Sequence, residues 1–331
     1  MDCANLSSEN SLAVYLSKLR RSNDRKVRES RNYWIGKSSL LRTNAVINGS
    51  VATTHWCGRL GNTMFQIASI IGIAKRNSLI PVVDGANGHK FFGGLRFANT
   101  TTGINISVTA KRCIIREPGV GIYVKETENL AGPCKGYEAV GVSGCLQSWK
   151  YFQNVDHDVR RMLTFKISVY RTAELRIFEG MRSLWKDPRN RNVVETVGVH
   201  VRRSDFTHPG WIEIGAVSAT DGYFVRTIAE LELNATAVMF VVGDDYEYCK
   251  RLFTGYNMFI LDTSPIPEVD MALLHMMDRL IISSGTFGWW SAYLGSAKEV
   301  YYYKNWPRAG SRLQNELRHE DYFLPQWNGR A

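Results

Sequence analysis

The chain has 331 residues, of which 44% are hydrophobic and 22% charged, and carries a formal net charge of +10. That length exceeds what one hydrophobic core usually supports and predicts two domains, while the composition excludes collagen-like, disulfide-miniprotein and wholly disordered classes. Residues 1 to 42 hold nine Lys/Arg against four Asp/Glu, so half of the positive excess lies in the N-terminal stretch, and no zinc-finger, basic-zipper or RNP-type pattern accompanies it; no nucleic-acid partner is expected.

Residues 1 to 50 are polar, basic and rich in Ser and Asn, with one weak amphipathic stretch from Ser11 to Leu19, and read as an arm or linker. No apolar run approaches the ~20 residues of a membrane span, and the N-terminus lacks a signal-type apolar region. A compact pattern starts at Trp56. The run 58-GRLGNTMFQIASIIGIAKRNSLIPVVD-84 reads as a glycine turn, a helix with apolar Met64, Phe65, Ile67, Ala68, Ile71 and Ala74, and a short strand ending at Asp84. Short strands are expected between residues 91 and 135, including Cys113 to Ile115. A strand from Ala139 to Cys145 then leads to 147-QSWKYF-152, followed by helices at Asp156 to Phe165 and Ala173 to Trp185. The polar, Pro-containing stretch 186-KDPRNRN-192 is the expected boundary between a first domain over 51–190 and a second over 191–331.

The second half alternates regularly. Strands are expected at Thr196–Val201, Ala237–Val242, Met258–Leu261, Leu280–Ser283 and Glu299–Tyr303. Helices are expected at Gly222–Leu233, Tyr246–Phe253, Glu268–Asp278 and Gly288–Leu294. This is the pattern of an α/β fold with a parallel, doubly wound sheet. Six cysteines, at 3, 57, 113, 134, 145 and 249, form no C-x-x-C pair, and fit either core thiols or one or two disulfides in a secreted chain. Sequons stand at Asn5, Asn48, Asn99, Asn105 and Asn234.

In a parallel sheet all strand carboxyl ends open on one side, so residues distant in sequence meet there. The first strand of the second half ends in His200, Arg202, Arg203 and Asp205, the second in Asp244 and Asp245, and the fourth in 283-SSGTFGWW-290. A small-residue turn opening a helix offers backbone N–H groups to a phosphate, and arginine grips phosphate oxygens in two places; together they predict a bound diphosphate. A carboxylate only accepts hydrogen bonds, which suits Asp244 or Asp245 to the N1 and N2 donors of guanine. Each feature also has a plainer reading: a surface ion-pair network, a turn, a helix cap, and core packing for Trp289 and Trp290. Near the N-terminus, Arg59 and Asn62 bracket the start of a helix and suit an anionic ligand.

The segments 58-GRLGNTMFQ-66, 147-QSWKYF-152, 200-HVRRSD-205 and 268-EVDMALLHMMDRLIISSGTFGWWSAYLG-295 resemble the galactoside α-1,2-fucosyltransferases, in that family's motif order over residues 55 to 305. HVRR alone is shared with α-1,6- and protein O-fucosyltransferases. The resemblance implies two Rossmann-like domains in the GT-B arrangement, GDP-fucose as donor, a galactose-terminated glycan as acceptor, inversion, and no required metal or other cofactor. It implies that Arg202 grips the diphosphate with Arg203 beside it, and that His200 lies by the nucleotide. Asp244 or Asp245 is then the guanine reader. Ser284, Gly285, Thr286 and Phe287 form the phosphate and fucose turn, and Arg59 and Asn62 belong to a loop near the transferred sugar. Asp205 is the candidate base, with Glu268 and Asp270 competing. Family members in animals are Golgi-anchored by an N-terminal transmembrane helix, so either the anchor lies outside this chain or the protein is located differently. Alternatives are a fucosyltransferase of other linkage or acceptor, including protein, and a noncatalytic glycan- or nucleotide-binding descendant.

Overall fold

The computed structural model describes residues 3–37, 49–82, 92, 111–184, 195–233, 237–262 and 264–331, with the side chains of the first helix described over residues 13–31. The expected strand end at Asp84, the stretch 186–192, the sequons at Asn48, Asn99, Asn105 and Asn234, and the side chain of Asn5 lie outside the described residues. The chain packs as two compact units, one of Val27–Thr164 with Asn315–Pro325, the other of Met1–Lys26, Phe165–Gln314 and Gln326–Ala331.

In chain order come α1 (Cys3–Lys37), β1 (Ser50–Thr53), α2 (Leu60–Arg76), β2 (Ile80–Val82), β3 (Arg112–Arg116), β4 (Ala139–Ser143) and α3 (Asp156–Met162). The first unit holds a four-stranded sheet of order β2-β1-β4-β3, parallel at every pairing. Helix α2 buries Met64, Phe65, Ile67, Ala68 and Ala74 as its sequence spacing predicts, but Ile70 and Ile73 instead of Ile71, which is only half-buried. Buried on the same helix, Gln66 joins two loops at the strand carboxyl ends. Its Oε1 accepts the Cys57 N–H at 2.9 Å, and its Nε2 donates to the carbonyls of His55 and Gly144, each at 2.9 Å. The same loops are joined covalently by Cys57–Cys145, and a second disulfide links Cys113 to Cys134. Glu117, just past β3, accepts the Leu146 N–H at 2.8 Å and the Tyr151 hydroxyl at 3.3 Å; burial pushes its carboxyl up to about 8.

The chain continues with α4 (Ile167–Leu184), β5 (Glu195–Val201), α5 (Pro209–Ile214), α6 (Asp221–Glu230), β6 (Ala237–Gly243), α7 (Tyr246–Leu252), β7 (Met258–Leu261), α8 (Pro267–His275), β8 (Arg279–Ile282), α9 (Thr286–Leu294) and β9 (Glu299–Tyr303). Short helices α10 (Arg312–Asn315) and α11 (His319–Tyr322) precede β10 (Asn328–Arg330). The second unit's sheet has six strands in the order β10-β9-β8-β5-β6-β7, again parallel throughout. Read from β5, the chain winds outward through β6 and β7, returns to the other side of β5 at β8, and winds outward again. That is the doubly wound order with one reversal point, between β5 and β8. The near-continuous apolar runs of β5 and β6 follow from their central place, since both of their faces are covered. Trp289 and Trp290 are fully buried and meet edge to face, so this pair is core packing.

Residues 3–37 form one helix where the sequence reads as an arm. The apolar pattern carries no signal there because the helix docks through polar pairs. Asn23, 1% exposed, donates to Glu174 Oε1 at 2.8 Å, Arg171 bridges Asp24 and Glu174 at 2.7 Å each, and Lys26 Nζ lies 2.9 Å from His275 Nε2. Replacing Asn23→Ala leaves part of a buried carboxylate's hydrogen bonding unmade and is expected to cost about 1–3 kcal/mol in urea unfolding; an unchanged midpoint would show that the Asn23–Glu174 bond contributes nothing to stability. Glu117 gives a second expectation. A carboxyl whose folded pKa is raised stabilises fully below its ordinary value of 4.5 and loses that contribution as pH rises through about 8. Thermal unfolding across this window should show Glu117→Gln gaining on the wild type as pH rises, and a constant gap would contradict it.

Candidate active site

Strand β5 is buried from Thr196 to Val201, and the chain leaves the core at Arg202. The adjacent carboxyl end of β8 runs into Ser283, Ser284 and Gly285, and α9 begins at Thr286. Backbone and side chain bind the two ends together. The Ser283 N–H donates to the His200 carbonyl at 3.1 Å, and the Arg202 N–H donates to Ser283 Oγ at 3.0 Å. The third end joins them, with the Asp244 N–H donating to the Val201 carbonyl at 3.3 Å. The three strand ends singled out in the sequence therefore meet at the reversal point, where an open α/β sheet has its ligand crevice.

Arg202 is held side-on by Asp205, Nε to Oδ1 at 3.0 Å and Nη2 to Oδ2 at 2.6 Å, and its guanidinium lies 4.2 Å from the Phe206 ring centroid. Nη1 takes no part in that fork and is the atom that a Cβ at Gly285 would run into. Gly285 has φ +93, so the turn needs glycine both for its backbone and for the arginine lying against it. Its neighbours are fixed too: Ser284 Oγ donates to the Val217 carbonyl at 3.1 Å, and Phe287 stacks on His200 with centroids 5.4 Å apart. Thr286 and Phe287 start α9, whose first turn carries the positive end of the helix dipole.

His200 is 5% exposed, with Nδ1 3.1 Å from Ser283 Oγ. Burial lowers its pKa to about 4, so the ring is neutral at ordinary pH. Arg203 stacks on Tyr248 at 3.8 Å and reaches Asp245 Oδ2 at 3.3 Å. Asp245 caps α7 by accepting the Tyr248 N–H at 3.0 Å. Asp244 accepts the Arg203 N–H at 2.7 Å and the Ser204 hydroxyl at 2.7 Å. Both carboxylates expected at guanine thus shape the loop after β5. Of the competing bases, Asp270 is buried against Arg176 at 2.6 Å and accepts the Ser264 N–H at 3.0 Å, which ties α8 to α4. Glu268 is buried in the same first turn of α8. Arg59 and Asn62 belong to the other unit. Arg59 is exposed at the cap of α2, and its carbonyl accepts the Asn62 N–H at 3.0 Å. Among the described residues no group of three or more His, Cys, Asp or Glu could hold a metal ion.

Two supporting residues escape sequence reasoning. Ser283 is visible only as the first serine of its turn. Tyr223, on α6, donates to the carbonyls of Ile282 and Tyr301 at 2.9 and 3.1 Å and ties the end of β8 to the middle of β9; a lone helical tyrosine announces none of this.

Fold and site together define an α/β protein that brings two arginines and a glycine turn to the reversal of its parallel sheet. The model of Glycosyl transferase family 11 matches residues 26–331, and the chain belongs to that family. It is 26% identical over 289 residues to the Bos taurus galactoside 2-alpha-L-fucosyltransferase SEC1, covering 86% of this chain and 74% of that protein. It is 26% identical over 285 residues to the Pongo pygmaeus galactoside alpha-(1,2)-fucosyltransferase 2, covering 84% and 79%. Among solved structures, an Arabidopsis thaliana FUT1 mutant in complex with GDP aligns with TM-score 0.50 at 14% identity, covering 87% of this chain and 79% of that one. POFUT1 in complex with GDP-fucose aligns with TM-score 0.50 at 12% identity, covering 80% and 99%. These structures share the fold.

The depressed His200 value sets a pH dependence. A buried base with a lowered pKa contributes stability that is present above its ordinary 6.5 and lost as pH falls to about 4, on the order of 3 kcal/mol in all. Urea unfolding should show His200→Asn, which cannot titrate, gaining on the wild type across that window. A flat difference would mean that the native ring takes up a proton as readily as the unfolded one.

Proposed function

We propose that the protein transfers L-fucose from GDP-fucose to the 2-hydroxyl of a terminal galactose on a glycan, with inversion, using two Rossmann-like domains of the GT-B kind. The observation that carries the reading is Arg202 held against the Gly285 turn at the reversal point, in a chain whose family relatives are named for this transfer. Arg202 Nη1 and the amides at the start of α9 receive the diphosphate, with Arg203 beside them. His200, neutral and buried, supports Ser283 and Phe287 next to the nucleotide. Asp244 or Asp245 reads the guanine edge, and Arg59 and Asn62 serve the sugar end.

As the bond from the fucosyl anomeric carbon to the β-phosphate oxygen breaks, GDP gains negative charge and the sugar becomes oxocarbenium-like. Arginine forks and oriented N–H groups stabilise the departing phosphate, the task that a metal performs in other transferases. The galactose 2-oxygen bonds to the opposite face of the anomeric carbon and gives its proton to a carboxylate. Asp205 aims Arg202 through both carboxylate oxygens and is the candidate for this proton, with Glu268 and Asp270 competing. Localisation in the Golgi lumen is part of the proposal, supported by two disulfides, which persist in oxidising compartments. Among the described residues no helix is long and apolar enough to cross a membrane.

Calorimetry with GDP-fucose, GDP and UDP in excess EDTA should show guanine-selective binding. Arg202→Lys, which keeps the charge but loses the planar fork, should lower kcat about 10²–10³-fold, as loss of one transition-state donor does. A folded protein that binds none of the three nucleotides would overturn the reading.

A further inference from the structure

The segment 206-FTHPGWIEIGAV-217 folds into the six-residue helix α5, yet none of that helix's residues is buried. Its order comes from its two ends. At the first, Phe206 is buried between the Arg202 guanidinium, 4.2 Å away, and the Trp211 ring, 6.1 Å away and tilted by 31°. At the second, the Gly215 carbonyl accepts the Arg308 N–H at 2.9 Å, and the Val217 carbonyl accepts the Ser284 hydroxyl at 3.1 Å. The Ala216 N–H closes the segment onto the Trp211 carbonyl at 2.9 Å. A short helix is thereby fixed by Arg202 on one side and by the Ser284 turn on the other. What it offers to solvent is Trp211, 44% exposed, with Ile212, 41% exposed, beside it.

From this placement we infer that Trp211 is the platform for the acceptor sugar, stacking its indole on the C–H face of the terminal galactose beside the donor site. This rests on the proposed fucosyl transfer. A pyranose presents one face of C–H groups, which an indole removes from water while the ring hydroxyls stay solvated; Trp211 differs from the other exposed aromatics in being held, through Phe206, against Arg202. Trp211 stands two ring contacts from the arginine assigned to the diphosphate, on the loop that follows the same strand. The exposed apolar side chains of the helix are Trp211 and Ile212, a surface on the scale of one sugar ring and short of the roughly 20–30 residues a side of a stable protein interface.

The test compares wild type, Trp211→Ala and Trp211→Phe by kinetics with a β-galactoside at saturating GDP-fucose, by GDP calorimetry, and by saturation-transfer NMR of methyl β-galactoside on the GDP-loaded protein. The expected result is a tenfold or larger rise in acceptor KM for the alanine variant with GDP affinity unchanged, loss of its NMR transfer, and recovery of both by phenylalanine. An unchanged acceptor KM with intact GDP binding would overturn the inference. So would a loss of GDP affinity, which marks Trp211 as a support of the donor site. If the wild type transfers no fucose, the functional reading fails separately. The NMR arm then decides the platform: magnetisation lost only in the alanine variant upholds it, and none in the wild type overturns it.

Discussion

The hydroxyl of Ser283 lies within hydrogen-bonding distance of both the Arg202 amide and the His200 ring. Through it the carboxyl ends of β5 and β8 act as one piece. Two adjacent parallel strands that diverge into separate crossovers open a crevice, and without a tie their loops would move independently. The tie fixes where the backbone of Arg202 leaves the sheet, and therefore how far its side chain travels before it meets the Gly285 turn. It also explains the neutral imidazole. Burial holds the ring's pKa low, and the nearby Asp244 charge offsets only part of that desolvation.

Electrostatics above this tie is arranged before any ligand arrives. Arg202 and Arg203 each lie against a carboxylate, Asp205 and Asp245, and each stacks on an aromatic ring, Phe206 and Tyr248. Such partly buried pairs add little to stability once desolvation is counted. Their value is in aim. A guanidinium with one edge occupied by a carboxylate and one face by a ring has few rotamers left, so little side-chain entropy would be lost on meeting the phosphate proposed above. The same carboxylates keep two adjacent positive charges from repelling each other in the ligand's absence. Asp244 does the equivalent work for the backbone, accepting from the N–H groups of Arg203 and Ser204 and shaping the loop that both arginines share.

Much of this was legible because regular α/β alternation writes itself in hydrophobic runs. The strands at 258–261 and 299–303 have the bounds that their apolar runs predict, and those at 195–201, 237–243 and 279–282 differ by a residue or so. The meeting of the three strand ends was legible too, since it follows from parallel topology alone. What the sequence hides is the pairing of side chains. Asp205 beside an arginine reads equally as a base or as a partner, and only geometry shows its fork engaged with Arg202. Trp211 reads as one more apolar residue in a Gly-Pro loop, because neither its exposure nor its contact with Phe206 has a periodic signature. Helix α1 stays invisible for a different reason. It is fastened by Asn23, Asp24 and Lys26, whose residue types score as solvent-facing, so a test for apolar periodicity returns a linker.

The first unit solves the same problem, fixing loops at strand carboxyl ends, with different chemistry. There the loops after β1 and β4 are fastened by Gln66 and by the Cys57–Cys145 bond, and Glu117 holds the Leu146 amide of the second loop. A neutral amide can donate and accept at once, so a single buried glutamine joins two backbone segments without the desolvation penalty that an ion pair would bring. The covalent link adds a constraint that acts mainly on the unfolded chain, because it closes a loop spanning 88 residues. The two units thus differ in how their strand ends respond to chemistry in solution. The loops of the first depend on redox state and on a carboxyl raised by burial, while those of the second depend on the Arg202–Asp205 and Arg203–Asp245 pairs. A reductant therefore acts on the loops of the first unit and leaves the charge pairs of the second in place, and salt, which screens partly buried pairs only weakly, spares both.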